Sequence, residues 1–181
     1  MIARINLTLI GMLFFVSIAS AQSKMLTGQK HVIFVDIPKN WLQAKSDQLP
    51  FFIKPDEKNV SDDTYMYVYG LDYQSSPDLN GWIKGDADDA MNRHPGLKVD
   101  TIPIVLNTLG DNGYLTGRYK LITYSHPSHK KEAILVIECK YTIATAVLAT
   151  SNDEEFQKYF PAFKELVKTI RVSGAKVEIE K

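Results

Sequence analysis

EAILVIECKYTIATAVLATS, residues 132–151, is the stretch whose reading decides the fold. Drawn as extended chain it is apolar on both faces: Ile134 and Val136 alternate with Leu135 and Ile137, and Val147 stands beside Leu148. A run this rich in β-branched residues, without a 3.6-residue stripe, belongs in a sheet. Its twenty residues exceed a usual strand of about 3–10. A turn or a bend is therefore expected near Lys140-Tyr141-Thr142, although no Gly or Pro marks it. Two consecutive antiparallel strands here form the centre of the sheet.

Working outward, Ser125–Lys131 (SHPSHKK) is a polar hairpin loop leading back to a strand over Tyr114–Tyr124. There Leu115, Tyr119 and Leu121 face one way, and Thr116, Arg118 and Lys120 the other. A turn at Asn107–Gly113 precedes it, and Lys98–Leu106 is a strand pattern that Pro103 confines to an edge or a bulge. TYMYVYGLDY, residues 64–73, alternates most clearly, with Tyr65, Tyr67, Tyr69, Leu71 and Tyr73 on one face and Met66 and Val68 on the other. Further upstream lie a strand at His31–Ile37, closed by Pro38, and a short one at Phe51–Ile53. Gln22–Lys30 is a polar start, and Lys54–Asp63 a turn-rich loop.

Two helices are expected. Asp78 caps a segment running to about Arg93, in which Leu79, Trp82, Ile83, Ala87, Ala90 and Met91 recur at helical spacing. Gly81 and Gly85 each cost that helix about 1 kcal/mol relative to Ala. Ser151-Asn152-Asp153-Glu154 has the form of a capping box. It opens a helix striped by Phe156, Phe160, Phe163, Val167 and Ile170, with a kink or reset expected at Pro161. The charged tail after Gly174 has no core pattern. The whole is α+β: an antiparallel β-sheet flanked by helices.

Residues 1–21 have the form of a cleavable signal peptide. Arg4 precedes an uncharged run, Leu7–Ala19, and Ala19-Ser20-Ala21 supplies the small residues of a cleavage site. The run is shorter than the ~20 residues of a membrane span. The expectation is an exported protein, periplasmic or extracellular, with one mature domain over residues 22–181 and no span after cleavage. Cys139, the only cysteine, lies too far from the cleavage point for a lipoprotein anchor and has no internal disulfide partner. Lys plus Arg and Asp plus Glu both number 21, so nothing in the charge calls for nucleic acid or an anionic membrane.

Ile37-Pro38-Lys39-Asn40-Trp41, just after a strand, resembles the opening of PsbP-like domains. So does the close, where Leu148-Ala149-Thr150-Ser151 runs into a helix bearing Phe156, Phe160, Phe163 and Val167-Lys168-Thr169-Ile170-Arg171. The resemblance covers residues 31–172 in element order and rests mostly on core positions. It implies an α-β-α sandwich and a protein that binds or stabilises another envelope protein. The family, which includes bacterial envelope proteins of the DcrB type, shares no catalytic set, so no functional residue carries over.

No sequence motif for catalysis stands out. There is no nucleophile elbow and no phosphate-cradling glycine pattern. His126 and His129 sit three apart in a loop without further ligands for zinc, which makes them solvated loop histidines. His31 and His94 have no ligand motif around them. Asp86, Asp88 and Asp89 lack a calcium-loop pattern and suit a solvated helix face. Cys139, inside an apolar strand, is expected to be a buried and inert thiol. No cofactor, metal or catalytic residue is assigned. The candidate partner or ligand surface is the tyrosine row Tyr65, Tyr67 and Tyr69 with Trp82. Alternation leaves open whether that row is exposed or packed under a helix. The alternative to protein binding is a small-molecule or lipid carrier, with a pocket between sheet and helix lined by Tyr65, Tyr67 and Trp82.

Overall fold

The computed structural model describes residues 22–106 and 113–175. The leader, most of the Asn107–Gly113 turn and the final charged residues lie outside the described residues. The segment quoted first is a hairpin, β8 (Lys131–Cys139) and β9 (Thr142–Thr150), turning at Lys140-Tyr141. Opposed pairs such as Ile134 with Val147 and Leu135 with Ala146 fix its register. Both faces are apolar because both are covered. Ile134, Val136, Ile143 and Val147 belong to one core, and Leu135, Ile137, Ala144 and Leu148 to another on the opposite side.

Around this hairpin the chain builds a seven-stranded antiparallel sheet in the order β3-β4-β5-β9-β8-β7-β6. Its other strands are β3 (Trp41–Gln43), β4 (Phe51–Pro55), β5 (Tyr65–Asp72), β6 (Lys98–Ile102) and β7 (Leu115–Ser125). β6 stops immediately before Pro103 and is an edge, where the missing N–H of proline costs no ladder bond. β7 carries a bulge between Leu115 and Tyr119, with Gly117 at φ 78° where the chain bends. The polar start Gln22–Lys30 contains a strand that its sequence did not announce. Gln22–Thr27 is a strand, β1, paired with β2 (His31–Ile37), and β10 (Arg171–Gly174) pairs with the other side of β2 in a small second sheet.

Helix α1 (Leu79–Arg93) covers one face of the large sheet. Asp78 Oδ2 accepts from Gly81 N at 2.6 Å, as a cap should. The sheet also grips this helix end. Glu138 Oε2 accepts from Leu79 N at 2.7 Å and lies 2.8 Å from Arg118 Nη1, which places a buried carboxylate at the positive end of the helix dipole.

Helix α2 (Asp153–Thr169) packs with β2 on the opposite face, burying Phe156, Tyr159, Phe163, Leu166 and Val167. It is one helix across Pro161, without the expected reset. Its cap is one residue later than the sequence pattern suggests. Asn152 Oδ1 accepts from Glu155 N at 2.9 Å, and the Glu155 carboxylate accepts from the Ser151 hydroxyl at 2.7 Å and from the Thr64 hydroxyl. Thr64 recruits the later glutamate, and the box moves with it.

Candidate functional site

The candidate site is a cleft of about 190 Å³ between α1 and the large sheet. Its α1 side is Trp82, Asp86, Ala90, Arg93 and His94, which share one helical face. Opposite them stand Tyr67 and Tyr69 of β5, Tyr124 of β7, Glu132 and Ile134 of β8, Val147 of β9, and His126 from the β7–β8 turn. The space exists because Ala87 and Ala90 are the buried residues at the middle of α1, too short to fill the gap that a leucine would close. A larger depression, about 490 Å³, is lined by the single loop from Gln43 to Pro50 and gathers no side chains from other elements.

Polar groups converge in the cleft. Tyr124 donates its hydroxyl to Asp86 Oδ2 at 2.7 Å. Burial, then repulsion from Asp86, raises the pKa of Glu132, although Arg93 and Lys130 pull the other way. Burial, then the neighbouring His94 ring, lowers that of His126, so its imidazole is neutral at pH 7. The two rings meet edge to face, 4.9 Å between centroids. The His126 side chain is only 8% exposed. Its Nε2 has no hydrogen-bond partner, and the nearest carboxylate oxygen, Glu132 Oε1, is 3.6 Å away. Burial raises the pKa of Tyr67 and Tyr69, which remain hydroxyl donors.

Two sequence expectations are corrected here. His126 is not a solvated loop histidine: the hairpin turn folds it against the end of α1, while His129 stays exposed at φ 70°. Asp86 is not on the solvated helix face. Asp88 and Asp89 are, paired with Lys84 and Arg93, but Asp86 turns inward to Tyr124. Of the residues singled out from sequence, Tyr67, Tyr69 and Trp82 line the cleft. Tyr65 shares their sheet face but stands outside it, beside Phe52. Asp86, Glu132, His126 and Tyr124 were missed as a site, because forty-odd residues separate α1 from the hairpin that meets it.

Beyond the cleft the same face is open. α1 lies over β7, β8 and β9 and reaches Tyr67 and Tyr69 of β5, whereas no described residue of β3 or β4 belongs to the core it covers. From the cleft wall outward, the rings of Tyr69, Tyr67, Tyr65 and Phe52 form a ladder with centroid steps of 5.8, 6.0 and 5.1 Å, and its Tyr65 and Phe52 end stands outside the cleft. Leu42 and Leu71 flank it, 56% and 41% exposed.

Elsewhere, His31 is buried between the two sheets. Its Nδ1 lies 2.7 Å from Asp72 Oδ1, which also accepts from Thr142 Oγ1 at 2.5 Å. Gly28 and Gly70 lie against its ring, where a Cβ on either would collide with it. Burial would raise the Asp72 pKa, but the bonds from Thr142, His31 and Lys30 N hold it low. Cys139 is fully buried, with its pKa pushed up to about 12. Among the described residues no three His, Cys, Asp or Glu side chains are gathered so as to hold a metal ion, and no helix is long and apolar enough to cross a membrane.

No family model matches the sequence, and no curated protein matches it. Among solved structures, the chain is similar to the solution structure of cyanobacterial PsbP (CyanoP) from Synechocystis sp. PCC 6803. The TM-score is 0.53 at 13% identity, over 91% of this chain and 99% of that one. The fold is PsbP-like. At that identity the likeness speaks for the PsbP-like architecture alone, and function has to be argued from the surfaces just described.

Proposed function

We propose that this PsbP-like protein is an exported, non-enzymatic domain that binds another protein of the cell envelope through the open half of its large sheet. Export rests on the leader pattern of residues 1–21. The observation that carries the binding reading is the Phe52–Tyr65 end of the aromatic ladder, which lies outside the cleft under α1, with Leu42 and Leu71 exposed on the same sheet face. Tyrosines offer contact area at low entropic cost, with hydroxyls that remain satisfied in water until a partner arrives. The cleft lining contains no Ser, Thr or Cys among the described residues, so it presents no nucleophile of those types. At about 190 Å³ it also falls short of the ~300–1,000 Å³ of ligand pockets, leaving a lipid no room.

The test is photo-crosslinking in the native envelope. A photoreactive residue replacing Tyr65 should yield a discrete adduct with one protein, while the same residue replacing Lys84, on the exposed face of α1, should not. Equal labelling from both positions, or none from Tyr65, would overturn the reading.

A further inference from the structure

We propose that the cleft between α1 and the sheet is a binding site for an alkylammonium group. Three features of the cleft carry this, and none depends on the docking of a protein partner.

The first is its charge. Asp86 and Glu132 point into one small space, and each is an unfavourable neighbour for the other. Arg93 lines the cleft but is paired with Asp89 at 2.8 Å, and Lys130 is paired with Asp63 at 2.6 Å, so neither cation is dedicated to the two carboxylates. Two histidines, His94 and His126, also line it in edge-to-face contact, and His126 is neutral at pH 7. Two carboxylates in a partly dry cleft leave a negative potential that a bound cation would relieve.

The second is the wall. Tyr67, Tyr69, Trp82 and Tyr124 surround the carboxylates with aromatic rings, whose negative faces attract organic cations. Ile134 and Val147 supply the apolar contact that a short alkyl chain needs.

The third is the unsatisfied acceptor. His126 turns a buried Nε2 without a hydrogen-bond partner into the cleft, 3.6 Å from Glu132 Oε1. We take the neutral ring with its proton on Nδ1, which leaves a lone pair on Nε2. Two acceptors at that separation are within reach of one ammonium nitrogen, whose charge-assisted bonds run about 2.7–2.9 Å. Buried polar groups rarely stay unpaired, and a ligand N–H completes this one. The 190 Å³ corresponds to roughly six waters at about 30 Å³ each, which suits an amine of a few carbons. A free amine and the lysine side chain of a docked protein share this chemistry.

The experiment is an NMR titration of the purified protein with n-butylammonium chloride, in chelator and at constant ionic strength. The two indole N–H signals read it. Trp82 lines the cleft and Trp41 is buried on the other side of the sheet, so Trp82 should shift saturably while Trp41 stays still. A Kd on the order of 1 mM or tighter is expected. Butyrate should produce no such shift. Glu132→Gln and Asp86→Asn should each weaken binding about tenfold or more while the spectrum keeps its dispersion. If butylammonium fails to saturate, if butyrate binds equally, or if both variants bind as the wild type does, the proposal is overturned. Should either variant unfold, Ala90→Leu, which fills the cleft with carbon, serves instead and should abolish the shift. Tighter binding of an N-acetyl-lysine amide than of butylammonium assigns the site to a docked side chain, and the reverse assigns it to a free amine. Both outcomes support the alkylammonium assignment. A failed crosslink from Tyr65 with a positive titration would remove the docking reading and leave this one standing.

Discussion

The two faces of the seven-stranded sheet are built from the same strands and have different chemistry. On the α2 side the sheet meets large apolar side chains. Phe163 is fully buried, and Ile53, Met66 and Leu148 opposite it are equally dry. On the α1 side the helix buries Leu79 and two alanines, covers half the sheet, and leaves tyrosines, carboxylates and a histidine at the boundary. A face sealed by phenylalanines contributes stability and admits nothing. A face spanned by alanines contributes less and keeps a space that water or a ligand can enter.

That contrast can be broken most forcefully from the dry side. Phe163→Ala should destabilise the protein by about 3–5 kcal/mol in urea denaturation, since the site has no solvent route by which to relax. A cost below that of an exposed residue would show the two faces to be alike. Next comes the joint between the sheets. Gly70→Ala should cost about 1–3 kcal/mol, because His31 is held by Asp72 and has nowhere to move. On the α1 side the sign reverses. A Cβ at Gly85 meets open space, so Gly85→Ala should stabilise by about 1 kcal/mol in the same assay.

The smallest effect is one of pH. Because the folded-state pKa of Glu132 is raised, its ionisation opposes folding at neutral pH. That opposition fades as the pH falls through the folded value toward the ordinary 4.5. Asp72 and Glu155 are lowered, so the stability they contribute is present above their unfolded values and lost as acid protonates them. Glu132→Gln should therefore be more stable than wild type at pH 7, with the difference vanishing below about pH 4. Glu132 is 30% exposed, and solvent screening keeps the gain small. A difference that instead grew in acid would contradict the stated cause.

How much of this was legible beforehand follows from burial. The 132–151 hairpin announced itself because both its faces are dry, and β5 because its alternation separates Met66 and Val68 from the tyrosines. β1 did not, since Leu26 is its only buried residue and its other side chains are polar or outward-facing. β10 did not, because Val172 continues directly from the apolar stripe of α2. Trp82 and Tyr67 were visible as candidates because they are aromatic and periodic. His126, Glu132 and Asp86 are ordinary residues on separate elements. They become a site only when the β7–β8 turn closes over the end of α1, which no local pattern encodes.

The separation of roles between the faces is tested most directly by one paired measurement on Tyr65→Lys. Partner capture from the native envelope and the urea midpoint are compared with wild type. The ladder residue is predicted to be needed for contact and not for folding: capture should be lost, while stability stays within about 1 kcal/mol. Undiminished capture by a folded Tyr65→Lys protein would contradict the account.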